Sequence, residues 1–142
     1  MTFRICTIDD YNLLINLWDQ AGLPCKPLGR DSRESIAREM RGGNGLFIVA
    51  EIDTKPAGAI LATHDGRKGW INRLAVLPDY RNKGIGRALV GYAEELLEQR
   101  GIGIFACMIE DYNSSSLEVF QKLGYIEFEG MHYLTKRNHP DI

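Results

Sequence analysis

The sequence has few cysteines and few histidines, and this shortage excludes two kinds of protein. Cys6, Cys25 and Cys107 are widely spaced and form no CxxC pair, and the chain has three histidines. Neither a disulfide scaffold nor a metal site is therefore expected, and the cysteines are predicted to be reduced thiols.

Long apolar runs and a large excess of charge are lacking as well. No apolar run approaches the roughly 18 residues of a membrane span. The N-terminus, MTFRICTIDD, has neither the basic nor the apolar region of a signal peptide. A net charge of −2 provides no basic surface for nucleic acid. We expect a cytoplasmic protein that binds neither membranes nor nucleic acid.

What the chain does have is the composition of a soluble globular protein, with 44% hydrophobic and 25% charged residues among 142. It contains no repeat, low-complexity segment or linker, so a single domain covering 1–142 is expected. Apolar periodicity predicts the element order β-α-α-β-β-β-α-β-α-β-β, which is a mixed α/β fold with helices on the faces of a sheet.

Capping residues mark the ends of the predicted helices. Asp9 or Asp10 is predicted to cap the first helix, and Asp31-Ser32-Arg33-Glu34 has the form of a capping box for the second. Asn113 is predicted to cap a short later helix. The longest helix is predicted at 84–100, and strands are predicted at 3–7, 46–52, 57–63, 69–77, 102–109, 125–128 and 131–135, the last two as a hairpin.

A glycine-containing turn, Arg81-Asn82-Lys83-Gly84-Ile85-Gly86-Arg87, lies between a predicted strand and the longest predicted helix. The first turn of a helix has unpaired N–H groups and carries about half a positive charge. Because the two glycines expose those donors and the three cations add charge, the turn is predicted to bind a phosphate or pyrophosphate. Leu89 replaces the third glycine of the Rossmann pattern, and no Walker A string is present.

The same turn has the form R-x-x-G-x-G-x-A and follows the strand I-N-R-L-A-V-x-P. Residues 71–88 thereby resemble the acetyl-CoA-binding motif of the GNAT superfamily of acetyl-CoA-dependent N-acetyltransferases. Residues 113–125, N-x-x-S-x-x-x-F-x-K-x-G-Y, resemble the second motif of that family. The predicted element order matches the GNAT fold, a mostly antiparallel mixed sheet of about seven strands with about four helices, splayed at its fourth and fifth strands.

This resemblance implies a binding site for acetyl-CoA without a metal. The pantetheine arm would enter the gap between the splayed strands and pair with the backbone of Leu74, Ala75 and Val76. Asn113 would contact the cofactor from the opposite side. The residues implied to hold the pyrophosphate are Arg81, Asn82, Lys83, Gly84, Ile85, Gly86 and Arg87.

The resemblance also implies direct attack of an amine on the thioester in a ternary complex, with the N–H of Val76 donating to the developing oxyanion. Phe120 stands where many members have a tyrosine that protonates the leaving thiolate. Because a thiol of this kind has a pKa of about 8.5, water can supply that proton. Tyr112 and Tyr125 are alternative donors.

Asn72 is a second departure, since many members have a glutamate there that acts as the base. An amide cannot take a proton from the ammonium form of the substrate. We expect Glu110 or Asp111, or ordered water, to do so, and Glu51 and His64 are further alternatives.

The acceptor is expected to bind opposite the cofactor, against the two N-terminal helices and their loop, as is usual in this fold. An aromatic residue and two arginines there favour a small amine that bears a carboxylate, such as an amino acid, although Trp18 also fits an ordinary core position. The candidate residues are Trp18, Leu28, Arg30, Asn72 and Arg73.

The favoured function is therefore N-acetylation of the primary amine of a small metabolite. Acetylation of a protein N-terminus or lysine is one alternative. An acyl-CoA sensor without catalysis is another, because Phe120 and Asn72 both lack the expected catalytic groups. A homodimer is an open expectation, since dimers are frequent in the family.

Overall fold

The computed structural model describes residues 1–140 and 142. Across these residues it has one five-stranded sheet in the order β1-β2-β3-β4-β5, with neighbours antiparallel except for β4 and β5, which are parallel. The strands are β1 (Thr2–Ile5), β2 (Gly45–Ile52), β3 (Lys55–His64), β4 (Gly69–Val76) and β5 (Phe105–Ala106). The helices are α1 (Tyr11–Gln20), α2 (Arg33–Gly42), α3 (Ile85–Glu98) and α4 (Ser114–Lys122). The predicted fold class is confirmed.

Helices cover both faces of the sheet because the central strands are apolar on both sides. Successive side chains of a strand point to opposite faces. Ile48 of β2 accordingly packs in the cluster around α3, whereas its neighbours Phe47 and Val49 pack in the cluster around α1 and α2. This explains why the sequence of β2 is a continuous apolar run. Among residues 1–140 and 142, no helix combines the length and hydropathy needed to cross a membrane.

The N-terminus of α2 differs by one residue from the predicted capping box. Ser32 is the N-cap, and its hydroxyl accepts a hydrogen bond from the N–H of Ser35 at 3.1 Å. Asp31 does not cap the helix, since its carboxylate is buried in contacts with the preceding loop and with β4. The sequence pattern located the start of the helix correctly and assigned the wrong role to Asp31.

Asp10 precedes α1, as predicted, but its carboxylate accepts hydrogen bonds from Arg4 at 2.9 Å and from the N–H of Thr7 at 2.9 Å rather than from the helix. The Arg4 guanidinium, which also contacts Glu51, holds the pKa of Asp10 below its usual value. A carboxyl whose pKa is lower in the folded state stabilises the protein above its unfolded pKa, and this contribution is lost as the pH falls through the folded pKa.

We therefore expect Asp10→Asn to lower the free energy of unfolding at neutral pH and to have a progressively smaller effect in the acidic range. The measurement is urea unfolding of both proteins from pH 7 downwards. A difference between the two that stays constant at every pH would contradict an ionic role for Asp10.

The last three predicted strands are not as expected. The strand predicted at 102–109 is limited to Phe105–Ala106, and the segments predicted to form a hairpin, 125–128 and 131–135, contain no strand. A strand exists only where a neighbouring strand accepts and donates its hydrogen bonds. Since β4 leaves β5 after two pairs and residues 125–135 lie off the sheet, the described structure has five strands instead of about seven.

Candidate active site

The sheet opens between β4 and β5, as the resemblance implied. In the described residues the two strands pair at Gly69 with Phe105 and at Trp70 with Ala106, whereas β4 continues to Val76. The edge of β4 from residue 72 onwards therefore has no neighbour on the β5 side. Apart from the Val76 carbonyl, which accepts a hydrogen bond from Arg81, the main-chain groups of this edge that face the gap are available to an extended ligand that binds like an added strand.

The main chain at the end of β4 has a defined orientation. The N–H of Leu77 donates to the carbonyl of Ala57 on β3 at 2.9 Å. Because donors alternate along a strand, Ala75 also faces β3 and the N–H of Val76 faces the gap. The structure thus directs the main chain of Val76, and not that of Ala75, towards the predicted ligand.

A β-bulge lies at the start of the open edge. Ala75 pairs with Ala59 and Asn72 with Leu61, so Arg73 and Leu74 together lie opposite one residue of β3. Arg73 has a φ of 44°, which an arginine rarely adopts. A bulge of this kind bends a strand and changes the direction of its side chains. It contributes to the separation of β4 from β5.

The two positions of the turn before α3 that are occupied by glycine differ in why glycine suits them. Gly84, the N-cap, has a φ of 79°, which favours glycine, whereas Gly86 has no such requirement. A Cβ at Gly86 would meet Leu74 and Val76 at 3.7 Å, an ordinary contact, so the protein itself leaves room there. Within the described chain no side chain caps α3, and its first turn has no acidic residue, which keeps these N–H groups available for an anion.

The cations of the turn surround this helix N-terminus. The Nε of Arg81 donates to the carbonyl of Val76 at 3.1 Å and so connects the turn to the open edge of β4. Lys83 lies over the ring of Tyr80 at 5.6 Å and is exposed, like Asn82 and Arg87. The side chain of Ile85 is buried in the core, so this residue can offer only its main chain to a ligand.

The second motif forms the cap and buried face of α4. Asn113 is the N-cap, and its side-chain oxygen accepts from the N–H of Ser116 at 3.3 Å. Phe120 is buried against the edge of Tyr125. The hydroxyl of Tyr125 donates to Glu94 at 2.7 Å, and burial together with this carboxylate raises the pKa of Tyr125. Tyr125 is therefore a poor proton donor for a leaving thiolate.

Two of the alternatives for the base have other partners. Glu51 accepts a hydrogen bond from Arg4 at 2.9 Å, and His64 accepts one at Nδ1 from the N–H of Gly66 at 3.1 Å. Glu110 and Asp111 are exposed and follow β5 on the side where the sheet opens. Asn72 cannot be the base, and its Nδ2 donates to Thr63 at 3.2 Å and to the carbonyl of Trp70 at 3.3 Å.

One predicted acceptor residue, Arg73, belongs to a largely buried ion pair. Arg73 donates from Nη2 to Asp31 at 2.7 Å and from Nη1 to the carbonyl of Pro24 at 2.9 Å. Its guanidinium lies 4.5 Å from the centre of the Trp18 ring, and Trp18 itself is only 1% exposed. Trp18 is therefore a core residue that a substrate cannot contact in this structure. We call Asp31, Arg73 and the Pro24 carbonyl the loop clamp.

Further contacts hold the loop between α1 and α2 around Asp31. The N–H of Lys26 donates to the carboxylate at 2.7 Å, and the hydroxyl of Tyr11 donates to the main-chain carbonyl of Asp31 at 2.8 Å. Burial and the nearby Asp31 charge raise the pKa of the Cys25 thiol. The Nε of Arg30 lies 3.9 Å from the Asp31 carboxylate, and the side chain of Leu28 is 95% exposed. Sequence reasoning missed Asp31, because an acidic residue before a helix is usually a cap.

A cavity of about 490 Å³ lies beside α1 and the same loop. One wall is formed by three polar residues of α1, Asn12, Asn16 and Asp19. Their spacing places them on one face of the helix, which could have been read from the sequence. The lining residues are Asn12, Ile15, Asn16, Asp19, Leu23, Cys25 and Pro27. The cavity is a depression that is largely open to solvent.

A mixed sheet that opens beside an uncapped, glycine-containing helix N-terminus is the architecture expected of an acyl-CoA-dependent transferase. The acetyltransferase (GNAT) family profile matches residues 13–125. An acetyltransferase of Sodalis glossinidius is 32% identical over 96% of this chain and 95% of its own length. The chain belongs to the GNAT family of acetyltransferases.

Solved structures show the same fold at lower sequence identity. The PaiA N-acetyltransferase of Thermoplasma acidophilum in complex with coenzyme A superposes with a TM-score of 0.72 at 23% identity, covering 87% of this chain and 89% of that one. AAC(6')-Iy in complex with the bisubstrate analogue CoA-S-monomethyl-acetylneamine superposes with a TM-score of 0.79 at 20% identity, covering 96% and 97%.

Proposed function

We propose that this acetyltransferase moves an acetyl group from acetyl-CoA to the primary amine of a small metabolite by direct attack in a ternary complex. The observation that carries the proposal is the open edge of β4, which ends beside the uncapped N-terminus of α3. These features match the two ends of an acyl-CoA arm, an extended amide-containing chain and a pyrophosphate.

The residues present fit acetyl-CoA. The space beside Gly86, the N–H groups of the first turn of α3 and the charges of Arg81, Lys83 and Arg87 suit its pyrophosphate. The free main-chain edge around Leu74 and Val76 suits its pantetheine arm. When bound, this cosubstrate supplies an acetyl group activated as a thioester.

The protein contributes mainly orientation and electrostatics. The N–H of Val76 faces the gap and is the proposed donor to the oxygen that gains negative charge. Arg81 binds the carbonyl of the same residue at 3.1 Å and so holds the next peptide group along the chain. Phe120 has no proton to give and the hydroxyl of Tyr125 is engaged by Glu94, which leaves the exposed Tyr112 or water as the proposed proton source.

Glu110 and Asp111 are the proposed bases, acting directly or through water. We expect the double variant Glu110→Gln/Asp111→Asn to lower kcat/KM at neutral pH by about a hundredfold and to lose the acidic limb of the pH–rate profile. Glu118→Gln is the matched control, since Glu118 is an exposed carboxylate paired with Lys122 on α4. If the pH–rate profile of the double variant equals that of the wild type, these carboxylates are not the bases.

The cavity beside α1 is the proposed acceptor site. Its lining residues include one carboxylate, Asp19, with the amides of Asn12 and Asn16. One of the two arginines on which the carboxylate-bearing acceptor was based, Arg73, is paired with Asp31, whereas the Arg30 side chain is 48% exposed. We propose instead an amine with hydroxyl groups or a second positive charge, which those lining groups can bind.

Release of free thiol from acetyl-CoA with a panel of amino sugars, diamines, amino acids and lysine peptides tests this function. We expect turnover with amino sugars or diamines. Turnover restricted to peptides would favour a protein acetyltransferase. Saturable binding of acetyl-CoA without turnover on any amine would favour a sensor.

A further inference from the structure

The peptide group between Val76 and Leu77 is held from both sides. Its N–H, which belongs to Leu77, donates to the carbonyl of Ala57 on β3 at 2.9 Å. Its carbonyl, which belongs to Val76, accepts from the Nε of Arg81 at 3.1 Å. Because hydrogen bonds are directional, contacts at both ends restrict the rotation of this peptide plane.

The preceding peptide group carries the proposed oxyanion donor, the N–H of Val76. Its carbonyl belongs to Ala75 and lies so close to β3 that a Cβ on Gly58 would be 2.6 Å from the oxygen. Within a strand the N–H and C=O of one residue point in the same direction. Since Arg81 binds the carbonyl of Val76, it also limits the direction of the N–H of that residue.

This contact uses only part of the Arg81 side chain. A guanidinium has five N–H donors in a planar fork, and the Nε contact leaves those of Nη1 and Nη2. Neither nitrogen has a hydrogen-bond partner among the residues that the structure describes. This pair of nitrogens can bind two phosphate oxygens at once. Because Arg81 lies three residues before Gly84, the N-cap of α3, one guanidinium can bridge the Val76 peptide and an anion at the turn.

The contact is expected to be weak until an anion binds. Arg81 is exposed, and an exposed arginine loses rotamer freedom when it holds one geometry. Lys83 and Arg87 are also exposed and place like charges in the same turn, which opposes a fixed position of the guanidinium. An anion between these cations removes the repulsion and restrains Arg81, so its hydrogen bond to the Val76 carbonyl becomes stronger.

We propose that Arg81 is a positioning residue that couples the pyrophosphate end of acetyl-CoA to the oxyanion donor. Its Nη groups bind the pyrophosphate while its Nε holds the Val76 carbonyl, and the N–H of Val76 is thereby directed at the thioester. The inference rests on the proposed function and extends it, because the turn before α3 then promotes the reaction as well as retaining the cosubstrate. A thioester without a pyrophosphate, such as S-acetylpantetheine, should react with a lower kcat, since binding energy from a remote part of a substrate can act at the reacting carbonyl.

Amide NMR spectra of the labelled protein during titration with inorganic pyrophosphate test the coupling without turnover. In the wild-type protein we expect the amide signals of residues 84–87 to shift together with those of Val76 and Leu77. In Arg81→Gln, at saturating pyrophosphate, residues 84–87 should still shift and the two strand residues should not. Lys83→Gln is the matched control. Its ammonium lies over the ring of Tyr80, so this variant should need more pyrophosphate yet keep the response of the strand.

The outcomes separate this proposal from the proposed function. A response of residues 84–87 in the wild-type protein without one at Val76 and Leu77 would overturn the coupling alone. An undiminished response of the two strand residues in Arg81→Gln would do the same. No response anywhere in the wild-type protein would overturn both the coupling and the phosphate-binding role of the turn.

Two donors measure the consequence for the reaction, with the amine that gives the fastest turnover as acceptor. We expect Arg81→Gln to lower kcat for acetyl-CoA by about tenfold more than kcat for S-acetylpantetheine, as for the loss of one hydrogen bond to a charged group. An arginine that only supports the fold would lower both values by the same factor, and one that only binds the pyrophosphate would raise KM and leave kcat unchanged. Either of these results would overturn the proposal.

Discussion

Replacing Gly86 with valine is expected to reduce the affinity for acetyl-CoA by about a hundredfold, the equivalent of one or two lost hydrogen bonds to a charged group. The free energy of unfolding should change much less, because a Cβ at this position makes ordinary contacts with Leu74 and Val76 at 3.7 Å. The added methyl groups would occupy the space beside the first N–H groups of α3. Calorimetric titration with acetyl-CoA measures the effect.

The same helix offers a matched control. Gly91 lies in the interior of α3, and a Cβ there would meet nothing within 4 Å. Gly91→Ala should therefore leave the affinity for acetyl-CoA unchanged and stabilise the protein by about 0.5–1 kcal/mol, since glycine is a poor helix former. Equal affinities of the Gly86→Val and wild-type proteins would remove the phosphate-binding role of the turn.

The parts of the fold that the sequence predicted depend on local patterns. The apolar spacing of α3 and the cap at Asn113 involve residues within a few positions of one another. The strand predicted at 102–109 was too long, and the hairpin predicted at 125–135 was wrong. Strands need a partner that is distant in the sequence, which local patterns do not identify. The family resemblance implied that β4 and β5 separate, and the structure shows that in the described residues they do so after two pairs.

The candidate site divides in the same way. The turn before α3 was visible as a contiguous motif, and its role was proposed from the sequence. The loop clamp was not visible, since Asp31 and Arg73 are separated by 42 positions and each had a simpler interpretation. Asp31 looked like a helix cap, and Arg73 looked like a ligand for a carboxylate. Because Arg73 is paired with Asp31, the proposed acceptor is no longer one that Arg73 binds through a carboxylate.

Removing one member of the loop clamp should destabilise the protein by roughly 3 kcal/mol, because the other charge is then buried without a partner. The Asp31 side chain is 7% exposed and that of Arg73 is 15% exposed, so water cannot replace the lost contact well. We expect this cost for both Asp31→Leu and Arg73→Met, measured by urea unfolding. The double variant should lose less than the sum of the two, and strict additivity would show that the pair is not coupled.

The clamp also connects the two parts of the proposed site, since Arg73 lies in the β-bulge at the start of the open edge of β4 and holds the loop beside the proposed acceptor cavity. Arg73→Lys keeps the charge but cannot reach both Asp31 and the Pro24 carbonyl with a planar fork. We expect this variant to raise KM for the acceptor several-fold more than KM for acetyl-CoA. An equal increase in the two KM values would show that Arg73 stabilises the fold without positioning the loop. Loss of a general structural support would weaken the binding of both substrates to the same extent.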